Sequence, residues 1–300
     1  MSTLQNLLTF AFVLTSMLSM GLSLTVSQIL QPLRRTRLVI MALVANFVVV
    51  PAAAFALSRI IPLEEDVQIG LLLLGTAAGA PSLPKLAQIA KVNVAFAVGL
   101  MTMLMVVTIV YLPIVLPILL PGVEVDAGQI AVSLIVQMLV PLIIGLLIKA
   151  RYEGTAATLQ PIMAQIANIS LALLLVLMLV VNFRNVLALF GTGAILATLL
   201  FIAISVVGGY FLGGPATDTK RVVALGTGQR NLAAAFIIAT ANFAEQPNVL
   251  VYLAATGLLL MVALMPTAGE FGKRSEPVES LEPVESLEGV ETEQMKASPN

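Results

Sequence analysis

Nine apolar runs, each near the length that crosses a bilayer, follow one another along the chain with only short polar interludes. They cover roughly 5–27, 38–60, 67–91, 93–120, 128–149, 160–182, 187–213, 219–242 and 247–266. A membrane-spanning helix needs about 20 predominantly apolar residues, so the pattern leaves few folds open. In hydrocarbon every backbone N–H and C=O must be paired within the protein, which admits helices or a closed barrel, and a barrel strand needs only about ten residues. The expected fold is therefore all-α and integral to the membrane, with nine transmembrane helices.

Composition narrows the function classes. The chain is 59% hydrophobic and 10% charged, against roughly 25% charged residues in soluble domains. Its net charge is -1 and no basic patch stands out, so the lipid bilayer is an expected partner and nucleic acid is not. The sequence has no Cys and no His. That excludes disulfides, thiol chemistry, haem ligation and the usual zinc sites, so no cofactor is expected. It also removes the commonest proton carrier near neutral pH. An intramembrane enzyme would need paired acids, a Ser–His set or metal ligands inside the spans, and none is seen, so the chain is not read as an enzyme. The N-terminal run lacks the charged flank of a signal peptide and continues to about Val26, which reads as a first span that is kept.

Lys and Arg in short loops orient the spans. One set of alternate loops holds Arg34, Arg35, Arg37, Lys91, Lys149, Arg151, Lys220, Arg221, Lys273 and Arg274. The other holds Arg59 and Arg184 beside Glu64, Glu65, Asp66, Glu124, Asp126 and Glu245. This bias places the N-terminus outside and the C-terminus in the cytoplasm, in a plasma or inner membrane. After about Gly269 the chain turns acidic and carries a short tandem repeat, Glu276-Pro277-Val278-Glu279-Ser280-Leu281 and Glu282-Pro283-Val284-Glu285-Ser286-Leu287. Too little of it is apolar to fold, so 1–268 is expected to be the transmembrane domain and 269–300 a disordered cytoplasmic tail.

Two of the runs are interrupted. The third breaks at Gly75-Thr76-Ala77-Ala78-Gly79-Ala80-Pro81-Ser82-Leu83-Pro84-Lys85, and the eighth at Gly226-Thr227-Gly228-Gln229-Arg230-Asn231. The tripeptide Leu74-Gly75-Thr76 returns as Leu225-Gly226-Thr227, and Asn93-Val94 and Asn248-Val249 then open the following spans. The third run enters from outside and the eighth from the cytoplasm, so the two halves read as inverted repeats. Paired Gly/Pro-interrupted spans in inverted halves point to the binding site of a secondary transporter. Packing kinks account for glycines and prolines, which are common in membrane helices. They do not account for Arg230 flanked by Gln229 and Asn231, because a charge at bilayer depth costs about 2.5–3.5 kcal/mol or more.

At these residues the chain resembles the bile acid:sodium symporter family. The resemblance rests on Met20-Gly21-Leu22-Ser23-Leu24 leading to Ala45-Asn46-Phe47 and Pro51, on the broken third span running into Ala90-Lys91-Val92-Asn93-Val94-Ala95, and on Gly228-Gln229-Arg230-Asn231. It covers about residues 1–268. It implies two crossing broken helices in a core domain of spans two, three, four, seven, eight and nine, with spans one, five and six forming a panel. It also implies a secondary transporter that moves small organic anions, such as bile acids and pantoate-like or pyruvate-like carboxylates, usually with sodium. The contrasting class is a non-transporting membrane receptor or scaffold that kept the fold, separable by ligand binding without flux.

The chain departs from that family where sodium is held. Sodium-using members carry an acid at the position of Gly226, a glutamine at Arg230 and a Ser-Asn pair at Leu83-Pro84, while hydroxyl ligands fall on Ala97 and Met101. The usual two sodium sites are therefore not expected, and Asn46, Thr227 and Gln229 are at most remnants of them. Arg230, and with it Lys85, would supply the fixed positive charge that sodium supplies elsewhere, a guanidinium pairing bidentately with a carboxylate. Uniport, exchange or proton-linked transport would then replace sodium symport, although no His is available and no Asp or Glu falls clearly inside a span to carry the proton. The candidate substrate-binding residues are Arg230, Asn231, Gln229, Thr227, Thr76, Ser82, Asn46 and Lys85. Lys85 reads equally as a side chain that snorkels to the headgroups. Gln165, Asn168 and Ser170, and the run Ser16 to Ser23, read as helix-packing faces.

Overall fold

The computed structural model describes residues 2–25, 36–120 and 126–274. Among these residues the protein is helical, with no strand. Twelve helices follow in order: α1 Ser2–Ser23, α2 Thr36–Ile60, α3 Glu65–Thr76, α4 Leu83–Ile89, α5 Val94–Leu119, α6 Ala127–Arg151, α7 Glu153–Val181, α8 Phe183–Gly191, α9 Ala194–Leu212, α10 Thr217–Gly228, α11 Leu232–Asn242 and α12 Pro247–Lys273. Eight segments are long and apolar enough to cross a membrane, with α10 and α11 counting together as one. The 67–91 run is not among them, because it is split into a helix of 12 residues and one of 7.

Helix starts follow local chemistry. Asn93 caps α5 by accepting from the Phe96 N–H at 2.8 Å. Asp126 caps α6 from Gly128 at 2.8 Å and Gln129 at 3.1 Å. A short polar side chain at the N-cap satisfies one of the amides that a first turn leaves open.

The seventh run was expected as one span from 187 to 213. Instead α8 ends at Gly191 and α9 begins at Ala194. Gly193 between them has φ of +75°, a left-handed turn that stops one helix before the next begins. Apolar residues on both sides of that turn hid it. α12 continues to Lys273, past the composition change at Gly269. The acidic repeat, together with Arg34, Arg35 and Glu124, lies outside the described residues.

α1, α6 and α7 pack on one another. Their outer faces carry Ile143, Ile144, Leu147, Ile169, Leu173 and Val176, all exposed in the isolated protein. α2, α3, α9, α10 and α12 form a second neighbourhood, bridged to α6 by α5 and α11. Burial ranks the helices clearly: the α10–α11 window is 100% buried and that of α7 is 28% buried. The interrupted α10–α11 span therefore lies at the centre of the bundle.

Candidate functional site

A helix end leaves its last carbonyls without partners, and in a membrane these cannot turn to water. α3 ends at Thr76 and the chain then runs without helix through Ala77 to Ala80 before α4. Several of the freed groups in this stretch meet a donor or acceptor from elsewhere in the bundle. The Ala77 carbonyl accepts from the Asn231 N–H at 3.0 Å. Thr108 on α5 pairs with both backbone groups of Ala78, accepting from its N–H and donating to its carbonyl, each at 3.1 Å. The Gly79 carbonyl accepts from Asn231 Nδ2 at 3.1 Å. Gly79 itself has φ of +79°, and a Cβ there would lie 2.7 Å from Met105 Cα and 2.8 Å from the Met101 carbonyl oxygen. Only glycine lets the unwound chain pass this close to α5.

The eighth-span break is stitched to the same place. Arg230 is fully buried, and its guanidinium donates from Nε to the Leu74 carbonyl at 2.8 Å and from Nη2 to the Gly75 carbonyl at 2.9 Å. Nη1 donates to Asn46 Oδ1 at 3.1 Å and to the Thr227 carbonyl at 3.2 Å. Asn46 Nδ2 in turn donates to Thr227 Oγ1 at 3.1 Å and to the Ala42 carbonyl at 3.0 Å. Asn231 caps α11 by accepting from the Ala234 N–H at 3.1 Å. Asn231 therefore serves both breaks, and Asn231→Ala should lower the thermal midpoint by several degrees, on the order of 2 kcal/mol, for the lost cap and the orphaned Gly79 carbonyl. A midpoint unchanged in detergent would mean that the two breaks are held by something else.

Asn46 reaches the crossing from a π turn at Ala45–Val49. Pro51 follows and has no N–H to give to the Phe47 carbonyl, four residues back. The Tyr111 hydroxyl donates to that carbonyl at 2.7 Å, and its ring packs on Phe47 with centroids 4.8 Å apart.

On one side of the crossing lies a cavity of about 790 Å³. Ala80 to Ser82 and Gln229 to Ala233 (without Asn231) form its floor, and Met20, Leu171, Leu175 and Met261 give it apolar walls. Ser82 and Lys85, both exposed, and Gln229 border it directly. Among the described residues Lys85 makes no ion pair and the Gln229 side chain has no hydrogen bond, so both are free to meet a guest.

The candidate residues thus fall into two groups and one outlier. Asn46, Thr227, Arg230 and Asn231 meet at the crossing, while Ser82, Lys85 and Gln229 meet at the cavity. Thr76 stands apart: its hydroxyl donates back to the Leu72 carbonyl at 2.7 Å and the Leu73 carbonyl at 3.1 Å of its own helix. Thr108 and Tyr111 were missed, because single hydroxyls in an apolar run carry no signal of what they face. Ser16, Ser19 and Asn168, read as packing, also line the cavity, and Gln160, which the sequence reading did not single out, joins them. Their signal was available: Gln160, Ala164, Ala167, Asn168, Leu171 and Leu175 recur at helical spacing and mark one face of α7.

At Gly226 an added Cβ would lie 2.9 Å from Leu83 Cδ2 and 3.5 Å from Leu100 Cδ2. Leucine side chains therefore occupy the space beside that position. Among the described residues no group of three or more His, Cys, Asp or Glu is placed to hold a metal ion.

Compared with models of protein families, residues 10–189 match the one described as "Sodium Bile acid symporter family". The matched region runs from α1 into α8 and includes the first break, and the second break lies beyond it. No curated protein matches the chain.

Proposed function

The chain belongs to the sodium bile acid symporter family, and from that premise we propose that it is a secondary transporter of small organic anions working by alternating access. The observation that carries this reading is the cavity, whose floor is built from both helix breaks. Its lining is mainly apolar, with Lys85 as the exposed cation, the buried Arg230 in the floor, and a few serines and amides, which suits a carboxylate with a short apolar body. In this reading Lys85 meets the carboxylate, Ser82 and Gln229 bond to it, and the residues of the crossing hold the floor in place beneath.

The broken α3–α4 pair would count as a ninth span, crossing α10–α11 between two inverted halves. α1, α6 and α7 would form the panel and the other spans the core. Their mutual packing supports this division. The Lys and Arg bias of the loops puts the N-terminus outside, and the cavity then opens to the cytoplasm, where Ser23, Lys85 and Gln88 border it.

The test uses the purified full chain. Pyruvate, pantoate and cholate are screened for a rise in thermal midpoint, and whichever stabilises is followed as labelled flux into proteoliposomes. At least one carboxylate should do both, and Lys85→Gln should raise its half-saturation about fivefold, on the order of 1 kcal/mol for a partly exposed charged contact. If no carboxylate shifts the midpoint or crosses the membrane, the reading fails.

A further inference from the structure

Two helices end at the crossing with their C-termini turned towards it, α3 at Thr76 and α10 at Gly228. A helix C-terminus carries about half a unit of negative charge from its unpaired carbonyls, so two of them call for about one positive charge. A single side chain provides it. The Leu74, Gly75 and Thr227 carbonyls and Asn46 Oδ1 all accept from the buried guanidinium of Arg230 at 2.8–3.2 Å. Those acceptors come from three separate helices and engage all three nitrogens of the guanidinium, which offers five N–H bonds. Arg230 is therefore committed to the protein's own oxygens and has little left to bind a substrate carboxylate.

Converging carbonyl and amide oxygens are also the donor set that a hard cation takes. We propose that Arg230 is a tethered replacement for a bound ion. It neutralises the two helix ends permanently, so the site assembles without sodium. The same oxygens become a sodium site once the guanidinium is replaced by a neutral amide. The sodium that the family's description implies does not fit the residues present here. The guanidinium fills one such place, and Leu83 and Leu100 crowd the other at Gly226. The inference rests on the crossing alone and stands or falls separately from the choice of substrate.

Thermal unfolding of the purified full chain in sodium chloride and in choline chloride at equal ionic strength tests it. The wild type should unfold at the same temperature in both salts. Arg230→Gln should unfold earlier than wild type in choline, and sodium should raise its midpoint saturably by about 5 °C or more. Arg230→Lys, still charged, should remain indifferent to sodium. A sodium-specific rise in the wild type would overturn the proposal, and that measurement needs no variant. An Arg230→Gln protein that folds but ignores sodium, or that folds in neither salt, would overturn it as well, since sodium would then not stand in for the guanidinium.

Discussion

Arg230→Ala, unfolded in choline chloride, is expected to lose about 4 kcal/mol of stability, a fall in midpoint of roughly 10 °C for a chain of this size. The residue is fully buried and its guanidinium supplies donors to four oxygens. A buried acceptor stripped of its donor costs about 1–3 kcal/mol, and the adjoining cavity lets water repair part of that loss. Two negative helix ends would also face each other without an intervening charge. Arg230→Lys keeps the charge but lacks the fork, and should lose about half as much. An alanine variant that melts with the wild type would show that the crossing is held by the Asn231 bonds alone.

Gly79→Ala is expected to cost about 3 kcal/mol and to abolish any stabilisation by carboxylates. The left-handed conformation itself costs a residue with a Cβ about 1–2 kcal/mol. The remainder is overlap, since the new methyl would lie 2.7 Å from Met105 Cα and 2.8 Å from the Met101 carbonyl oxygen, and backbone cannot step aside as a side chain can. α5 would be pushed from the unwound segment, taking Thr108 away from Ala78. Gly193→Ala is the matched control. It has a similar φ, +75°, but its Cβ would meet the Ile61 Cγ2 methyl at 2.9 Å, a side-chain atom rather than backbone. Its loss should be close to the conformational part alone. Equal losses at the two positions would show that the contact with α5 is not what Gly79 provides.

Much of this architecture was legible in the sequence, for a physical reason. Bilayer thickness fixes span length, so run-counting located the segments, and a break in hydrocarbon must be announced by Gly, Pro or polar residues. Gly75 to Lys85 and Gly226 to Asn231 announced themselves in that way. Partnership across space was not legible. Arg230 was expected to face a carboxylate, and nothing local states that Leu74 and Gly75, 156 and 155 positions away, take up its donors. The Tyr111 bond to Phe47 depends on a π turn that no residue pattern marks. Gly193 was passed over because Leu187, Leu189 and Phe190 before it look like the start of a span. The polar face of α7 was visible but read as packing, because its spacing says which residues share a side and not whether that side meets a helix or a cavity.

The covalent attachment of the charge at the crossing has a consequence for energy supply. A dissociable ion crosses with the cargo and is left behind, so the membrane potential contributes about 2.3 kcal/mol per 100 mV for each charge moved. Arg230 cannot be left behind. Whatever work the potential does on it in one direction is returned in the other, and over a complete cycle the sum is zero. Through this residue the voltage can alter how fast the crossing moves but cannot make it accumulate anything. A gradient built by such a protein has to come from the work that the potential does on the cargo's own charge, or from the concentration difference of the molecule exchanged for it.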